Sequence, residues 1–278
     1  MVETTYTVRG PVVKKVTRSI NKHPSSGGSG VTADVGDHLL LEGGIGTTNL
    51  IAWWKLDEGS GLTRVDSHTN NYDLADSATV GSAAGLLGNA SSTAGGTSSA
   101  LSIAVGSAPL LFPADVDFCI TGWVYFNSIT ANTGIISTYD FTDGYILWTP
   151  PASGNVLWQV RGTSITWTTP STGAWHHFVA WHDATANEIG LRIDDSSEGT
   201  TPHATGINAS GLLPFKLHQY GIGAFSFDGL LDEVGVWSAK PSAATITALY
   251  NAGAGVTYED LAGSDALLLE NGSYLILE

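Results

Sequence analysis

The chain has one cysteine, Cys119, so an intrachain disulfide is excluded and with it any small disulfide-stapled fold. Cys119 lies inside the apolar run FCITGWVYF, where it reads as a buried small hydrophobe and not as a reactive thiol. Charge is also scarce: 13% of residues are charged, with 11 Lys and Arg against 26 Asp and Glu, for a formal −15. An acidic body of this kind repels nucleic acid and anionic membranes. The few basic residues are concentrated at one end. Residues 1–23 hold Arg9, Lys14, Lys15, Arg18 and Lys22 with one acid, Glu3, which leaves six basic and 25 acidic residues, net −19, on the remainder. Such an arm either pairs with an acidic protein surface or stays a solvated tail. No run approaches the ~18 apolar residues of a membrane span. The opening residues, MVETTYTVRGPVVKK, lack the apolar h-region of a signal peptide.

What the chain does have is 34 glycines, nine tryptophans and 42% hydrophobic residues, the profile of a globular all-β protein. Short apolar runs separated by turn residues predict strands at 100–105, 118–126, 134–138, 144–149, 155–161, 164–168, 176–182, 190–194, 216–222 and 230–237, an order that builds a two-sheet sandwich. The stretch 225–253 organises the rest. Its first half alternates as a strand, with Leu230, Asp232, Val234 and Val236 on one side and Leu231, Glu233, Gly235 and Trp237 on the other. Its second half predicts a short helix after Pro241, capped by Ser242 and stopped at Gly253. Residues 1–23 predict an extended strand that adds to a neighbour, followed by the linker SSGGSG at 25–30. The piece DHLLLEGG at 37–44 is echoed by DALLLENG at 265–272, and Asn271-Gly272 between two apolar runs predicts a tight type I′ hairpin.

The strand Asp232-Glu233-Val234 with Trp237, the short helix and the Asn251-Ala252-Gly253 exit resemble the closing strand of laminin-G-like, concanavalin-A-type jelly rolls. LIAWWKLDEGSG at 50–61 resembles the same family's opening strand, FCITGWVYF at 118–126 its Trp-Val strand, and WHHFVAWHD at 175–183 with GLRIDD at 190–195 its middle strands. The resemblance implies an all-β jelly-roll sandwich at 49–256, between an arm, linker and leucine strand at 1–48 and a hairpin at 257–278. It implies that the opening and closing strands lie together. The leucine pieces beside a Gly/Ser linker resemble segments of tailed-phage virion proteins.

Laminarinase-type hydrolases that share this fold carry a Glu-x-Asp-x-x-Glu strand, which brings two carboxylates to one face. This chain has no such pattern. Asp57-Glu58 and Asp232-Glu233 are adjacent pairs, whose side chains are expected on opposite faces, so no enzyme is expected. The family resemblance implies that Asp232 helps hold a structural calcium with backbone carbonyls; the other reading has it bonding backbone amides at a strand junction. His176 and His182 share a strand face roughly 20 Å apart, too far for one zinc. No Ser/His/Asp order with a nucleophile elbow is present. Trp148, Trp158 and Trp167 fall on three successive strands, where they form either a sugar-stacking platform or core.

These features lead to two expectations. In the first, the protein is a non-enzymatic virion component, made in the host cytoplasm and displayed on the virion surface. A capsid or other virion protein holds its arm, and a homo-oligomer forms through Leu39, Leu40, Leu41, Leu267, Leu268, Leu269, Tyr274, Leu275, Ile276 and Leu277, unless those strands pair within one chain. In the second it is a carbohydrate-binding lectin module, with a cell-surface glycan as partner.

Overall fold

The computed structural model describes residues 46–111, 113–129, 132–207, 213–221 and 225–262 in full, together with the main chain of four flanking strands. Two compact units result, Gly44–Ala262 and the two chain ends. In the terminal unit, β1 (Val2–Thr7) and β2 (Lys15–Ile20) pair antiparallel with Val2 opposite Ile20. The expected single extended strand is thus two strands satisfying each other's ladder.

Unit 44–262 follows the order β3 (Leu50–Trp54), β4 (Ala75–Ser77), β5 (Gly81–Ala84), β6 (Asn89–Thr93), β7 (Ala100–Ile103), β8 (Phe118–Phe126), β9 (Thr133–Ser137) and β10 (Tyr145–Thr149). It continues with β11 (Val156–Val160), β12 (Thr163–Trp167), β13 (Trp175–Asp183), β14 (Glu188–Ile193), β15 (Gly199–Pro202), β16 (Phe215–Leu217) and β17 (Gly229–Trp237), and ends in helices α1 (Ala243–Tyr250) and α2 (Tyr258–Ala262). At the chain end, β18 (Ala266–Leu268) pairs with β19 (Tyr274–Ile276). Leu268 faces Tyr274 there, whereas a two-residue Asn271-Gly272 turn would set it opposite Leu275. One residue of slip exchanges the two faces of a strand. Leu39, Leu40, Leu41, Leu269 and Leu277 lie outside the described residues.

Two sheets form the sandwich, one ordered β12-β11-β10-β9-β16-β7-β4 and the other β15-β14-β13-β8-β17-β6-β5, and these neighbours run antiparallel. β17 lies at the centre of the second sheet. It pairs with β8 along its length, with β6 at its first residues and with β3 at its last, so the opening and closing strands are neighbours. The core between the sheets takes alternate residues of each strand: Phe118, Ile120, Val124, Phe126, Phe178, Ala180, Leu231, Val234 and Val236 from one, Tyr145, Leu147, Val156, Trp158, Val160, Phe215 and Leu217 from the other. Trp158 is fully buried and its Nε1 donates to the Trp181 carbonyl at 3.0 Å, tying the two sheets together.

The outer face of the eight-stranded sheet is covered. Leu50, Trp53, Cys119, Val179, Trp181 and Trp237 pack beneath Ile246 and Leu249 of α1 and Leu261 of α2. Ser242 caps α1 by accepting from Thr245 N, and Asn251, in the left-handed region at φ 46°, ends it two residues before Gly253. Gly190 lies under the Trp181 ring, where a Cβ would fall 2.0 Å from the indole.

The structure corrects the alternation expected along β17. Asp232 pairs with Trp123 but Gly235 with Thr121, so Glu233 and Val234 together oppose Gly122, and Glu233 has φ 47°. This is a β-bulge, and beyond it the strand's inside and outside are exchanged. Leu231, Val234 and Val236 therefore all reach the core. Asp232 and Glu233, expected on opposite faces, both lie on the helix-covered side: Asp232 is opposite Trp123, which stacks on Tyr250 of α1, and Glu233 accepts a bond from Trp53 Nε1.

Candidate functional site

The seven-stranded sheet has no helix on its outer face among the described residues. The strand registers align one row of residues across it: Ser164, Gln159, Ile146, Ser137, Lys216 and Ser102, from β12 to β7. Directly opposed residues project to the same side, so hydroxyl, amide and ammonium groups flank Ile146 in this row; Ile146 and Ser137 are fully buried, whereas Gln159, Lys216 and Ser102 are half-buried and Ser164 is exposed. Beside it, Trp148, Tyr139, Tyr220 and Ile146 form a small apolar cluster separate from the main core. Tyr220 is its hub, with Trp148 edge-on at 5.7 Å, Phe141 tilted at 5.0 Å and Phe225 edge-on at 6.3 Å. Gly134 makes this possible, since a Cβ there would lie 2.3 Å from the Tyr220 main chain.

Tyr139 and Tyr220 are buried, Trp148 is half-buried, and Phe141 and Phe225 are 50% and 38% exposed. Phe141 is held out by its own turn. Asp140 Oδ1 accepts from Thr142 N, Thr142 Oγ1 and Asp143 N at 2.7–2.8 Å, and Phe141 takes φ 79°. A bulky side chain pays for that conformation with about 1–3 kcal/mol of strain, and such strain concentrates at binding sites.

The polar groups at the rim are already aimed. Gln159 Nε2 donates to Tyr139 Oη at 2.8 Å, and Tyr139 Oη donates to the Phe141 carbonyl at 3.0 Å. Lys216 Nζ donates to Gln219 Oε1 at 2.8 Å and the Gly221 carbonyl at 2.9 Å. Burial lowers the Lys216 pKa, raises that of Tyr139 and pushes Tyr220 up to about 12. Both phenols thus remain neutral hydrogen-bonding groups near neutral pH. The Trp148 indole N–H has no acceptor among the described residues.

The three tryptophans, read from the sequence as either a platform or core, do not share a face. Trp148 is outside; Trp158 is in the core; Trp167 packs at the core's margin against Phe126 and His176. The reason is register: Leu147 opposes Trp158 and Trp148 opposes Leu157, so the two indoles alternate across the sheet. Sequence reasoning did not single out Phe141, Tyr220, Phe225, Gln159 or Lys216. The turn around Asp140 was its only available signal.

Asp232 is fully buried, and its Oδ2 accepts from the amides of Leu86 and Leu87 at 2.8 and 2.9 Å, the geometry of the amide-bonding reading. Its Oδ1 has no partner, leaving one carboxylate oxygen that a calcium could take together with main-chain carbonyls. Among the described residues no three His, Cys, Asp or Glu side chains gather as a cation site. Burial, with Asp57 nearby, pushes Asp232 up to about 7. Burial, with Asp232 and Asp57 nearby, pushes Glu233 up to about 9 despite the Trp53 bond.

With this geometry in place, the comparisons are consistent. A family model for the concanavalin A-like lectin/glucanases superfamily matches residues 95–247, and the chain belongs to that family. Domain 4 of AbnA, a GH43 extracellular arabinanase from Geobacillus stearothermophilus solved with arabinotriose, is similar at 17% identity and TM-score 0.57, covering 72% of this chain and 97% of that one. The binding domain of botulinum neurotoxin serotype G is similar at 13% identity and TM-score 0.58, and that of Paraclostridial Mosquitocidal Protein 1 at 16% and 0.56. They cover 73% and 74% of this chain, which spans about half of theirs, 50% and 52%. No curated protein matches.

Proposed function

We propose that this protein is a carbohydrate-binding module of the lectin type and that its sugar face is the outer face of the seven-stranded sheet. Phe141 carries the reading: an exposed aromatic ring, fixed at positive φ by its own turn, beside Trp148, Tyr220 and Phe225 and next to a polar row. Flat rings offer stacking surface to the apolar face of a pyranose or furanose, while the half-buried Gln159 and Lys216 offer hydrogen bonds to its hydroxyls. Fold neighbours that are toxin binding domains, and an arabinanase domain solved with arabinotriose, support the reading. It includes no glycan cleavage. A panel of immobilised oligosaccharides, arabinotriose among them, followed by calorimetric titration of each hit, tests it. Phe141→Ala and Trp148→Ala should each weaken binding roughly tenfold, about the worth of one aromatic contact. Binding that survives both substitutions would move the site elsewhere.

The virion reading rests on the chain ends, which form a compact unit of their own containing two antiparallel hairpins. On that reading these segments anchor the displayed domain to a particle or to sister subunits.

A further inference from the structure

The sequence has no nucleophile elbow, yet the fold assembles a serine, a histidine and an aspartate from three separate segments. Ser171 lies in the turn between β12 and β13, His176 is the second residue of β13, and Asp194 follows β14. Ser171 Oγ is 2.7 Å from His176 Nε2, and His176 Nδ1 is 2.8 Å from Asp194 Oδ2. Both separations fall within the ~2.6–3.2 Å over which a positioned base takes a proton.

The proton positions follow from chemistry. Asp194 as a carboxylate only accepts, so Nδ1 carries the hydrogen and Nε2 presents its lone pair to the Ser171 hydroxyl. Asp194 is itself fixed: Oδ1 accepts from His177 N at 2.8 Å and its own N–H donates to the His177 carbonyl at 2.8 Å, at φ 51°. The imidazole is also braced, with the Trp167 ring edge-on at 5.0 Å. A serine, an oriented base and an anchored carboxylate in this order are recognised by geometry and roles, whatever their order in the chain. Ser171 is exposed, and beside the relay Trp167, Asp194, Ile165, Ile193 and Ser196 line an open cleft of about 430 Å³ between the edges of the two sheets.

We infer that Ser171, His176 and Asp194 form an acyl-transfer site that cleaves carboxylic esters. Ser171 Oγ attacks the ester carbonyl carbon while its proton passes to His176 Nε2. The tetrahedral adduct collapses, the bond to the alcohol oxygen breaks, and His176 returns the proton to that oxygen. Water then attacks the acyl-serine, gives its proton to His176 and releases the carboxylic acid, and the proton goes back to Ser171. Asp194 positions the ring and offsets the charge it gains. Esters are favoured over amides because an alcohol leaves with less assistance than an amine.

The test is labelling of the full-length protein with an alkyl fluorophosphonate, located by peptide mass spectrometry, together with hydrolysis of p-nitrophenyl acetate and butyrate. One adduct per chain on Ser171 is expected. It should be absent in Ser171→Ala and formed about 100-fold more slowly in His176→Gln, the contribution usual for a general base. Ester turnover should fall in the same two variants while their melting temperatures show them folded. Leu110→Ala, an exposed side chain that belongs to neither the relay nor the sugar face, should label like the wild type. No adduct on Ser171 under conditions that label a reference serine esterase, or ester turnover equal in Ser171→Ala and wild type, would reduce the triad to a structural hydrogen-bond chain.

Discussion

Replacing Glu233 by glutamine should abolish most of the protein's loss of stability on the alkaline side of neutrality. The carboxyl is 3% exposed, sits in the β17 bulge under α1 and accepts from Trp53 Nε1. Burial raises its folded pKa from 4.5 to about 9. Between those values the folded chain keeps a proton that the unfolded chain has released, so its stabilising contribution is complete below about pH 4.5 and is lost as pH rises toward 9. One proton corresponds to about 1.4 kcal/mol per pH unit. From pH 7 to 8.5 the loss from Glu233 is about 2 kcal/mol, or roughly 4–8 °C in Tm for a domain of this size, and Asp232, half titrated at about 7, adds roughly 0.4 kcal/mol in both proteins. The window ends at 8.5 because the buried Cys119 thiol, ordinarily near 9.0, contributes only above it. Glu233→Gln keeps an oxygen for Trp53 and cannot ionise, so its Tm should be nearly flat over this window, and the variant should be ahead of wild type by a margin that widens with pH. Differential scanning calorimetry at five pH values measures this. A wild-type Tm that does not fall between pH 7 and 8.5 would mean that Glu233 is ionised in the folded protein and would refute the reasoning.

On the acid side two buried histidines act in the opposite direction and offset what Glu233 and Asp232 add there. His177, tilted against Trp123 and without a partner for Nδ1, and His218, between the hydroxyls of Ser91 and Thr93, are buried and held down to about 3, so the unfolded chain binds protons below about 6.5 that the folded chain refuses. His177→Phe should remove up to about 1.4 kcal/mol per pH unit of that slope, read from urea melts at pH 4–6.5. Asp232→Ala leaves the Leu86 and Leu87 amides without their acceptor and should cost about 2–4 kcal/mol. The calcium reading adds that EDTA lowers the wild-type Tm and not the variant's, and an EDTA-insensitive wild type retires it. Trp158→Ala should cost about 3–5 kcal/mol, since it empties a fully buried indole site and leaves the Trp181 carbonyl without its donor. If the terminal hairpins join subunits, light scattering should find the full chain associated and residues 49–256 monomeric, whereas a monomeric full chain argues against the anchoring reading.

The architecture was legible wherever side-chain alternation and turn chemistry agreed. FCITGWVYF at 118–126 is a strand with those same limits, and Ser242 caps the helix it was expected to cap. The short edge strands at 75–77 and 199–202 were not legible, because three or four Ala, Ser, Thr and Gly residues carry no periodicity; neighbouring strands impose the pairing. The face assignment of Asp232 and Glu233 failed because one bulge residue exchanges inside and outside, and nothing in DGLLDEVGVW marks the bulge. Pairing across strands also decided which tryptophan faces outward, since Trp148 and Trp158 differ only in register. Phe141, Tyr220 and Phe225 come together from loops separated in sequence by about eighty residues, as do Ser171 and Asp194 from opposite ends of a hairpin. Such meetings are products of the sandwich and have no local signature.

Hydrogen exchange of the full-length protein, with and without a saturating oligosaccharide identified by the glycan panel, tests the sugar-face reading most directly. Slowed exchange is expected at Tyr139–Trp148 and at the described residues of 216–225, with the helix-covered face unchanged. Slowed exchange confined to other segments, or no oligosaccharide that binds at all, would contradict it.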